Sequence, residues 1–178
     1  MLWGRSKTAN TTTEIAKTRV LMVCMGNLCR SPTAEAVLRH KLKAAGLDKT
    51  VEVDSAGTYG GHAGEPPDAR AQRHAKLRGY DLSRQRARRL TAEDFSRFDW
   101  VIAMDEDNLN RITELAPEGH AARLGLLMSH ASRHHDVKAV PDPYYGPPAG
   151  FDRVLELIED ACDGLVSELA RNPPATPG

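Results

Sequence analysis

A cysteine and an arginine six positions apart are the residues of this chain whose types and spacing most directly suggest chemistry. Cys24 follows an apolar run, residues 20–23, and Arg30 comes after a short segment that contains Gly26 and Asn27. A strand that leads through a tight loop into a helix directs several backbone N–H groups, and the positive end of the helix, at one point. This segment is therefore predicted to form a cradle for an anion.

The same cradle would hold Cys24 as a thiolate, because backbone donors and a nearby guanidinium favour negative charge on sulfur. Arg30 can bind two phosphate oxygens at once through its planar fork. A thiolate nucleophile beside a phosphate site indicates transfer of a phosphoryl group to cysteine. The alternative is that the spacing is accidental and that Cys24 is an inert core residue.

The residues around the pair favour the catalytic interpretation. Gly26 and Asn27 suit a positive φ, which a tight loop requires. Ser31 followed by Pro32 is typical of an N-cap and the first turn of a helix. The Ser31 hydroxyl is also expected to hydrogen-bond the thiolate of Cys24.

A carboxylic acid should face the nucleophile, because the alkoxide or phenoxide that leaves the phosphorus needs a proton. The best candidate is Asp142, which lies in a segment stiffened by four prolines, where it can be held in place with little ordering cost. Tyr144 and Tyr145 in the same segment offer aromatic walls for a flat substrate. The alternative is an ordinary surface turn, since Asp-Pro and Tyr-Gly are common turn sequences.

Strands and helices alternate along the chain, which predicts an α/β domain with a parallel sheet flanked by helices. The predicted strands are residues 20–23, 51–55, 100–104 and 124–128, and the predicted helices are residues 34–45, 69–78, 91–95, 106–115 and 151–170. Sites in such sheets lie at the carboxyl ends of strands, and Cys24 follows such an end.

Length and composition narrow the possible functions. A chain of 178 residues with 40% hydrophobic content predicts one domain with an ordinary core. Its formal net charge of zero gives no general attraction to nucleic acid or to an acidic membrane surface. Three cysteines favour a reducing compartment, here the cytoplasm, over a disulfide framework. Residues 1–17 and 172–178 are expected to be a flexible extension and a flexible tail around a domain of residues 18–171.

Four segments, in the order of the chain, resemble the signature segments of low-molecular-weight protein tyrosine phosphatases. The likeness covers roughly residues 18 to 170, and the segments are residues 23–35, residues 54–58, Met104-Asp105 and residues 142–146. The resemblance implies a single three-layer domain with a four-stranded parallel sheet. It also implies an enzyme that needs no metal or cofactor and acts on phosphotyrosyl proteins as a monomer or a weakly self-associating molecule.

The resemblance also implies a role for individual residues. Cys24 would form a phosphocysteine, Arg30 would bind the phosphoryl oxygens, and Asp142 would first protonate the leaving phenolate and then activate water. Ser31 would support the thiolate, and Ser55 would join the network that fixes the loop. The loop residues that would bind phosphate are Met25, Gly26, Asn27, Leu28, Cys29 and Ser31.

The substrate cleft departs from the pattern of many relatives, which carry a tryptophan where this chain has Gly61. Tyr59 or His62 is expected to take its place, or else the cleft is more open; Tyr144 and Tyr145 would form the other wall. Gln85 stands where some relatives have a histidine that supports the loop.

The other two cysteines and a group of three histidines could also have chemical roles. In similar proteins the paired cysteine, here Cys29, can form a reversible disulfide with the nucleophile, and the alternative is simple packing. Cys162 is predicted to lie in the core. His130, His134 and His135 lie close together in sequence, but they are expected to be solvated rather than metal-bound, since a metal site needs three or four converging ligands.

Three other functions remain as alternatives. An arsenate reductase would need further cysteines to relay a disulfide, and only Cys162 is left. Protein-arginine phosphatases of similar sequence carry a threonine where this chain has Leu28, whose apolar side chain favours an aromatic ring. A module that binds phosphotyrosine without cleaving it would not need Cys24, Arg30 and Asp142 together.

Overall fold

Four parallel strands form one sheet in the computed structural model, which describes residues 14–175. In chain order they are β1 (Thr18–Cys24), β2 (Val51–Gly57), β3 (Trp100–Ala103) and β4 (Arg123–Leu126). The order across the sheet is β2-β1-β3-β4, so β1 lies between two neighbours. The predicted four-stranded parallel sheet is thereby confirmed, and the end of β1 lies at the edge where ligand sites of such sheets form.

Helices cover both faces of the sheet and make it the middle of three layers. They are α1 (Arg30–Ala44), α2 (Ala69–Leu77), α3 (Asp94–Arg97), α4 (Glu106–Leu115) and α5 (Ala149–Arg171). Alternate residues of a strand point to opposite faces. Accordingly, Val20 and Met22 belong to an apolar cluster that includes residues of α1 and α5, whereas Leu21 and Val23 belong to a second cluster that includes Phe95.

The fourth strand is shorter than predicted. The apolar run 124–128 was expected to be one strand, but β4 ends at Leu126 and a 3₁₀ helix follows at Leu127–His130. Leu127 and Met128 are buried in the cluster that contains residues of α5. A short apolar run does not distinguish a buried strand from a buried helical turn, which is why the prediction extended too far.

The short third helix also differs from the prediction. A helix over 91–95 with Thr91 as its cap was expected, but α3 begins at Asp94. The Asp94 carboxylate instead accepts a hydrogen bond from the Thr91 backbone N–H at 2.8 Å. The predicted cap residue therefore lies outside the helix, and its backbone N–H donates to the Asp94 side chain while its carbonyl accepts from the Asp94 N–H at 3.1 Å.

The outer edge of β2 is partly covered by other parts of the chain. The Arg39 guanidinium donates to the Val53 carbonyl at 2.6 Å. Gly57 pairs in parallel fashion with the segment around Arg89: its N–H donates to the Arg88 carbonyl, and its carbonyl accepts from the Leu90 N–H, both at 2.8 Å.

The ends of the chain lie mostly beyond the described residues. The predicted extension, residues 1–17, and tail, residues 172–178, overlap them only at 14–17 and 172–175, where no helix or strand forms. Lys17 nevertheless pairs with Glu52 at 2.7 Å. Within residues 14–175, none of the helices combines the length and apolar character that crossing a membrane requires.

Candidate active site

Cys24 ends β1 at the base of a small pocket. The pocket has a volume of about 150 Å³, and Cys24 is only 3% exposed. Most of the predicted site residues line it together: Cys24, Met25, Gly26, Leu28, Cys29, Arg30, His62, Asp142, Tyr144 and Tyr145. The Cys24 thiol and the Arg30 guanidinium, which come from one short segment, thus meet the Asp142 carboxyl group, which comes from a distant one.

Ser31 contacts the Cys24 sulfur instead of capping the helix. α1 begins at Arg30, its N-cap residue is Cys29, and no side chain caps it, so the predicted cap at Ser31 is wrong. The Ser31 Oγ lies 3.0 Å from the Cys24 Sγ and accepts a hydrogen bond from the Asn27 amide at 2.8 Å. Because that amide occupies a lone pair of Oγ, the hydroxyl proton is free to point to the sulfur. The other acceptor within reach, the Ala56 carbonyl, is farther away at 3.4 Å.

Asn27 holds the loop in shape. It is the non-glycine residue with a positive φ, 56°, among the described residues, and it is almost completely buried. Its amide nitrogen also donates to the Ser55 Oγ at 3.0 Å, and its Oδ1 accepts from the Arg88 backbone N–H at 3.0 Å. Asparagine tolerates the left-handed conformation better than most residues, and these bonds stabilise it there. The loop is therefore fixed before any ligand binds.

Arg30 is held by two distant segments. Its Nη1 donates to the Asp105 carboxylate at 2.5 Å and to the Val140 carbonyl at 3.1 Å, and the side chain is buried. Its Nη2 lies 3.7 Å from the Asp142 carboxylate. Such contacts from several directions fix the plane of the guanidinium, as recognition of a phosphate by a planar fork requires.

Asp142 stands at the open side of the pocket. Its side chain is 43% exposed, and its Oδ1 accepts a hydrogen bond from the Tyr144 backbone N–H at 3.1 Å. The rings of Tyr144 and Tyr145 meet edge to face with centroids 4.8 Å apart. The mouth of the pocket is thus lined by one carboxyl group with two aromatic rings beside it.

Arg70 anchors the segment that carries Asp142, a role that the sequence analysis did not foresee. Its guanidinium donates to the Tyr144 carbonyl at 3.0 Å and lies 4.8 Å from the ring centroid of Phe151. Asp68, the N-cap of α2, holds the same guanidinium at 2.9 Å, and its N–H donates to the Leu28 carbonyl. The phosphate loop and the acid segment are thereby connected through one arginine and one aspartate.

The two candidate cleft residues after β2 face different pockets. His62 lines the pocket of Cys24, whereas Tyr59 lines a neighbouring one. The Tyr59 ring lies so close to Gly61 that a Cβ there would overlap with it. The Tyr59 ring therefore fills the space that a side chain at position 61 would need, and of the two residues only His62 borders the nucleophile.

The remaining cysteines are both buried. Burial raises the pKa of the Cys29 thiol far above its ordinary value, and Asp68 and Cys24 raise it further. Burial likewise raises the pKa of Cys162, which lies in the core side of α5 as expected. Neither thiol is held in its charged form at neutral pH.

The three histidines considered for metal binding pair with carboxylates or carbonyls. His130 Nδ1 lies 2.8 Å from Glu168, and His134 Nδ1 lies 2.9 Å from Asp160. His135 is exposed, and its Nδ1 lies 3.4 Å from the Ser132 carbonyl. Gln85, at the position of a supporting histidine in some relatives, donates to the Pro32 carbonyl at 2.9 Å and so contacts the start of α1.

A buried carboxyl group in α1 makes stability depend on pH. Burial raises the pKa of Glu35 to about 7 from 4.5, Asp54 adds to the shift, and Arg39 partly offsets it. With the pKa raised in the folded state, the stabilisation is complete below about pH 4.5 and is lost as pH rises through about 7. The change in the free energy of unfolding that Glu35→Gln causes is therefore expected to be more favourable at pH 8 than at pH 5, by up to about 3 kcal/mol.

Urea unfolding of both proteins at the two pH values measures this difference. Glu118→Gln, which alters an exposed carboxyl, is the matched control and should show the same free energy of unfolding relative to the unchanged protein at both pH values. An equal effect of Glu35→Gln at pH 5 and pH 8 would contradict the assignment.

Comparison with known proteins places this arrangement in a class of hydrolases. The profile of the low molecular weight phosphotyrosine protein phosphatase family matches residues 19–175. The low molecular weight protein-tyrosine-phosphatase of Streptomyces coelicolor is 46% identical over 152 residues, which cover 84% of this chain and 92% of the relative. The human low molecular weight phosphotyrosine protein phosphatase is 38% identical over 157 residues, which cover 87% of this chain and 98% of the relative.

Solved structures of phosphatases have the same fold as this chain. The protein tyrosine phosphatase of Entamoeba histolytica superposes with a TM-score of 0.84 at 36% identity, covering 88% of this chain and 99% of that one. A Drosophila arginine phosphatase superposes with a TM-score of 0.78 at 33% identity, covering 84% of this chain and 96% of that one. Fold and site define a phosphatase. The chain belongs to the low molecular weight phosphotyrosine protein phosphatase family.

Proposed function

We propose that this phosphatase hydrolyses phosphotyrosine in protein substrates through a phosphocysteine intermediate. The observation that carries the proposal is the meeting of Cys24, Arg30 and Asp142 in one pocket bordered by apolar and aromatic side chains. A narrow pocket above a deep nucleophile admits a phosphate at the end of a long, flat side chain. Arg30 and the loop amides supply the positive charge, so the proposed reaction needs no metal.

The proposed reaction has two steps. The Cys24 sulfur attacks phosphorus, the S–P bond forms as the P–O bond to tyrosine breaks, and Asp142 gives its proton to the departing phenolate oxygen. Asp142, now a carboxylate, then takes a proton from water, whose oxygen attacks phosphorus and releases phosphate and the free thiolate. Arg30 and the loop amides bind the equatorial oxygens in both steps.

Phosphoarginine is the substrate of the second candidate function, because one structural neighbour is an arginine phosphatase. Against it stands Leu28, which lines the pocket and packs against the core cluster of α1 and α5. An apolar side chain gives a guanidinium no hydrogen-bond partner but suits an aromatic ring.

Side-by-side hydrolysis of phosphotyrosine, phosphoarginine and phosphoserine peptides of one sequence tests the proposal. The expected result is the largest kcat/KM for phosphotyrosine, without added metal. A larger value for phosphoarginine would replace the proposed function with the second one. A kcat/KM for the phosphoserine peptide similar to that for the phosphotyrosine peptide would show that the pocket does not select an aromatic side chain.

Gly57 permits the end of β2 to approach the phosphate loop closely. A Cβ at this position would lie 2.6 Å from the Met25 carbonyl oxygen and 3.1 Å from the Asn27 nitrogen, so the loop would have to move. Because small displacements of catalytic groups are costly, Gly57→Ala is expected to lower kcat/KM for an aryl phosphate by about 10-fold to 100-fold.

The matched control is Gly125→Ala in β4, where a Cβ would meet open space. It should leave kcat/KM unchanged. Undiminished activity of Gly57→Ala would show that the loop does not depend on this contact.

We also propose that Cys29 protects the nucleophile from irreversible oxidation. Both cysteines line the same pocket. Hydrogen peroxide would oxidise the Cys24 sulfur to a sulfenic acid, and the Cys29 sulfur would then displace water and form a disulfide that a thiol reductant reverses. Recovery of activity after peroxide treatment should be largely lost in Cys29→Ser; unchanged recovery would disprove the role.

The same chemistry suggests where the protein works. A thiolate nucleophile has to stay reduced between turnovers, and the three cysteines are all free thiols. We therefore propose the cytoplasm as its compartment. Fractionation of the source cells with an antibody to the protein would test this.

A further inference from the structure

A second pocket adjoins the one that contains Cys24, and the proposed reaction makes no use of it. Its volume is about 920 Å³, much larger than the 150 Å³ of the first. It lies between the loop that follows β2 and the first turns of α4, with Met25, Tyr59, Arg89 and Asn108 among its lining residues.

The two pockets share one lining residue, Met25. This residue is 52% exposed. Beside it, the rings of Tyr59 in the second pocket and His62 in the first meet edge to face, with centroids 5.9 Å apart. A ligand that fills the first pocket and extends beyond one residue therefore reaches the second by crossing Met25.

Arg89 is the cation that the second pocket offers to a ligand. Unlike Arg88, it forms no ion pair with another residue of the described chain. A Cβ at Gly60 would lie 2.9 Å from the Arg89 Cδ, so the stem of the side chain rests against the backbone there. The other charged lining residues are Arg111, which already pairs with Glu114 at 2.8 Å, and Asp107.

We propose that the second pocket binds the part of the substrate that flanks the phosphotyrosine and that it selects acidic side chains there. Arg89, the cation of the second pocket without an ion pair among the described residues, binds a carboxylate of the flanking segment. A peptide with aspartate or glutamate beside the phosphotyrosine supplies that carboxylate, which a single small phosphate ester does not. This proposal rests on the proposed function, since it names the substrates that the same site prefers.

Two phosphotyrosine peptides test the proposal, one with glutamate at the two positions on each side and one with glutamine at the same positions. Each kcat/KM is divided by the value of the same protein for 4-nitrophenyl phosphate, which removes differences in the chemical step. The unchanged protein should prefer the glutamate peptide by about fivefold, the size expected for an exposed ion pair. The preference should decrease at high salt because ions screen exposed charges.

Variants at Arg89 test whether this residue causes the preference for the glutamate peptide. Arg89→Ala should abolish it, Arg89→Lys should keep most of it, and Arg89→Glu should reverse it. Arg153→Ala, which removes one exposed positive charge from α5, is the control for net charge and should keep the full preference.

Equal rates for the two peptides in the unchanged protein, or a preference that survives Arg89→Ala, would overturn the proposal while leaving the proposed function intact. Failure to cleave either peptide would instead overturn the proposed function, and with it the proposed role of the second pocket.

Discussion

Cys24→Ser should reduce hydrolysis of an aryl phosphate by about 10⁴-fold or more, because loss of a nucleophile removes the covalent route. The variant should still bind inorganic phosphate, since Arg30 and the loop that Asn27 holds are unaltered. Turnover by stopped assay and phosphate binding by calorimetry measure the two effects separately.

The control is Cys162→Ala, which changes a thiol that is buried in the core and does not line the pocket. It should retain turnover at a temperature where circular dichroism shows that both variants are folded. If Cys24→Ser kept substantial turnover, another group would have to be the nucleophile. If it lost phosphate binding as well as turnover, the loss of activity would be structural.

Asp142→Asn should slow turnover of substrates with poor leaving groups by about 10²-fold to 10⁴-fold, the usual contribution of a general acid. The amide oxygen can still accept the bond from the Tyr144 N–H, so the segment should keep its shape. The effect should shrink as the leaving phenol becomes more acidic, because such a phenolate departs without a proton. A plot of log kcat/KM against the pKa of the leaving phenol should thus become steeper in the variant.

Asp136→Asn, at an exposed aspartate in the preceding loop, is the matched control and should leave that plot unchanged. An equal loss for every leaving group in Asp142→Asn would assign the residue to binding or folding rather than to proton transfer.

Local patterns predicted the parts of the site that lie close together in the sequence. Cys24 and Arg30 are joined by a single loop, so an apolar run, loop-forming residues and a helix start were sufficient to bring them together. Three of the four strands were likewise visible as apolar runs, and the second as the alternating segment 51–55. Asp142 could only be chosen for its stiff surroundings and the family resemblance, because nothing local specifies which distant segment faces the nucleophile.

Residues that act through long-range contacts were missed or given no role. Asp105 was noticed only as part of a family segment, although its place two residues after the end of the buried strand β3 could have indicated a site residue. Arg88 had no such signal, since it binds Asn27 through its backbone N–H. Arg70 acts by bridging Asp68 and Tyr144, which are far apart in sequence. The error at Ser31 has a similar cause: cap preferences are local, whereas the sulfur of Cys24 is a tertiary partner.

The covering of the outer edge of β2 has a consequence for the behaviour of the protein in concentrated solution. An exposed strand edge can recruit the edge of another molecule and start aggregation. Here Arg39 occupies the Val53 carbonyl, and residues 88–90 occupy both polar groups of Gly57, so these parts of the edge cannot pair with a second copy. Arg88 in the same segment also binds Asn27. Detachment of residues 88–90 would therefore both expose unpaired backbone groups at the strand edge and loosen the loop that Asn27 holds. Resistance to aggregation and catalytic competence should therefore be lost together.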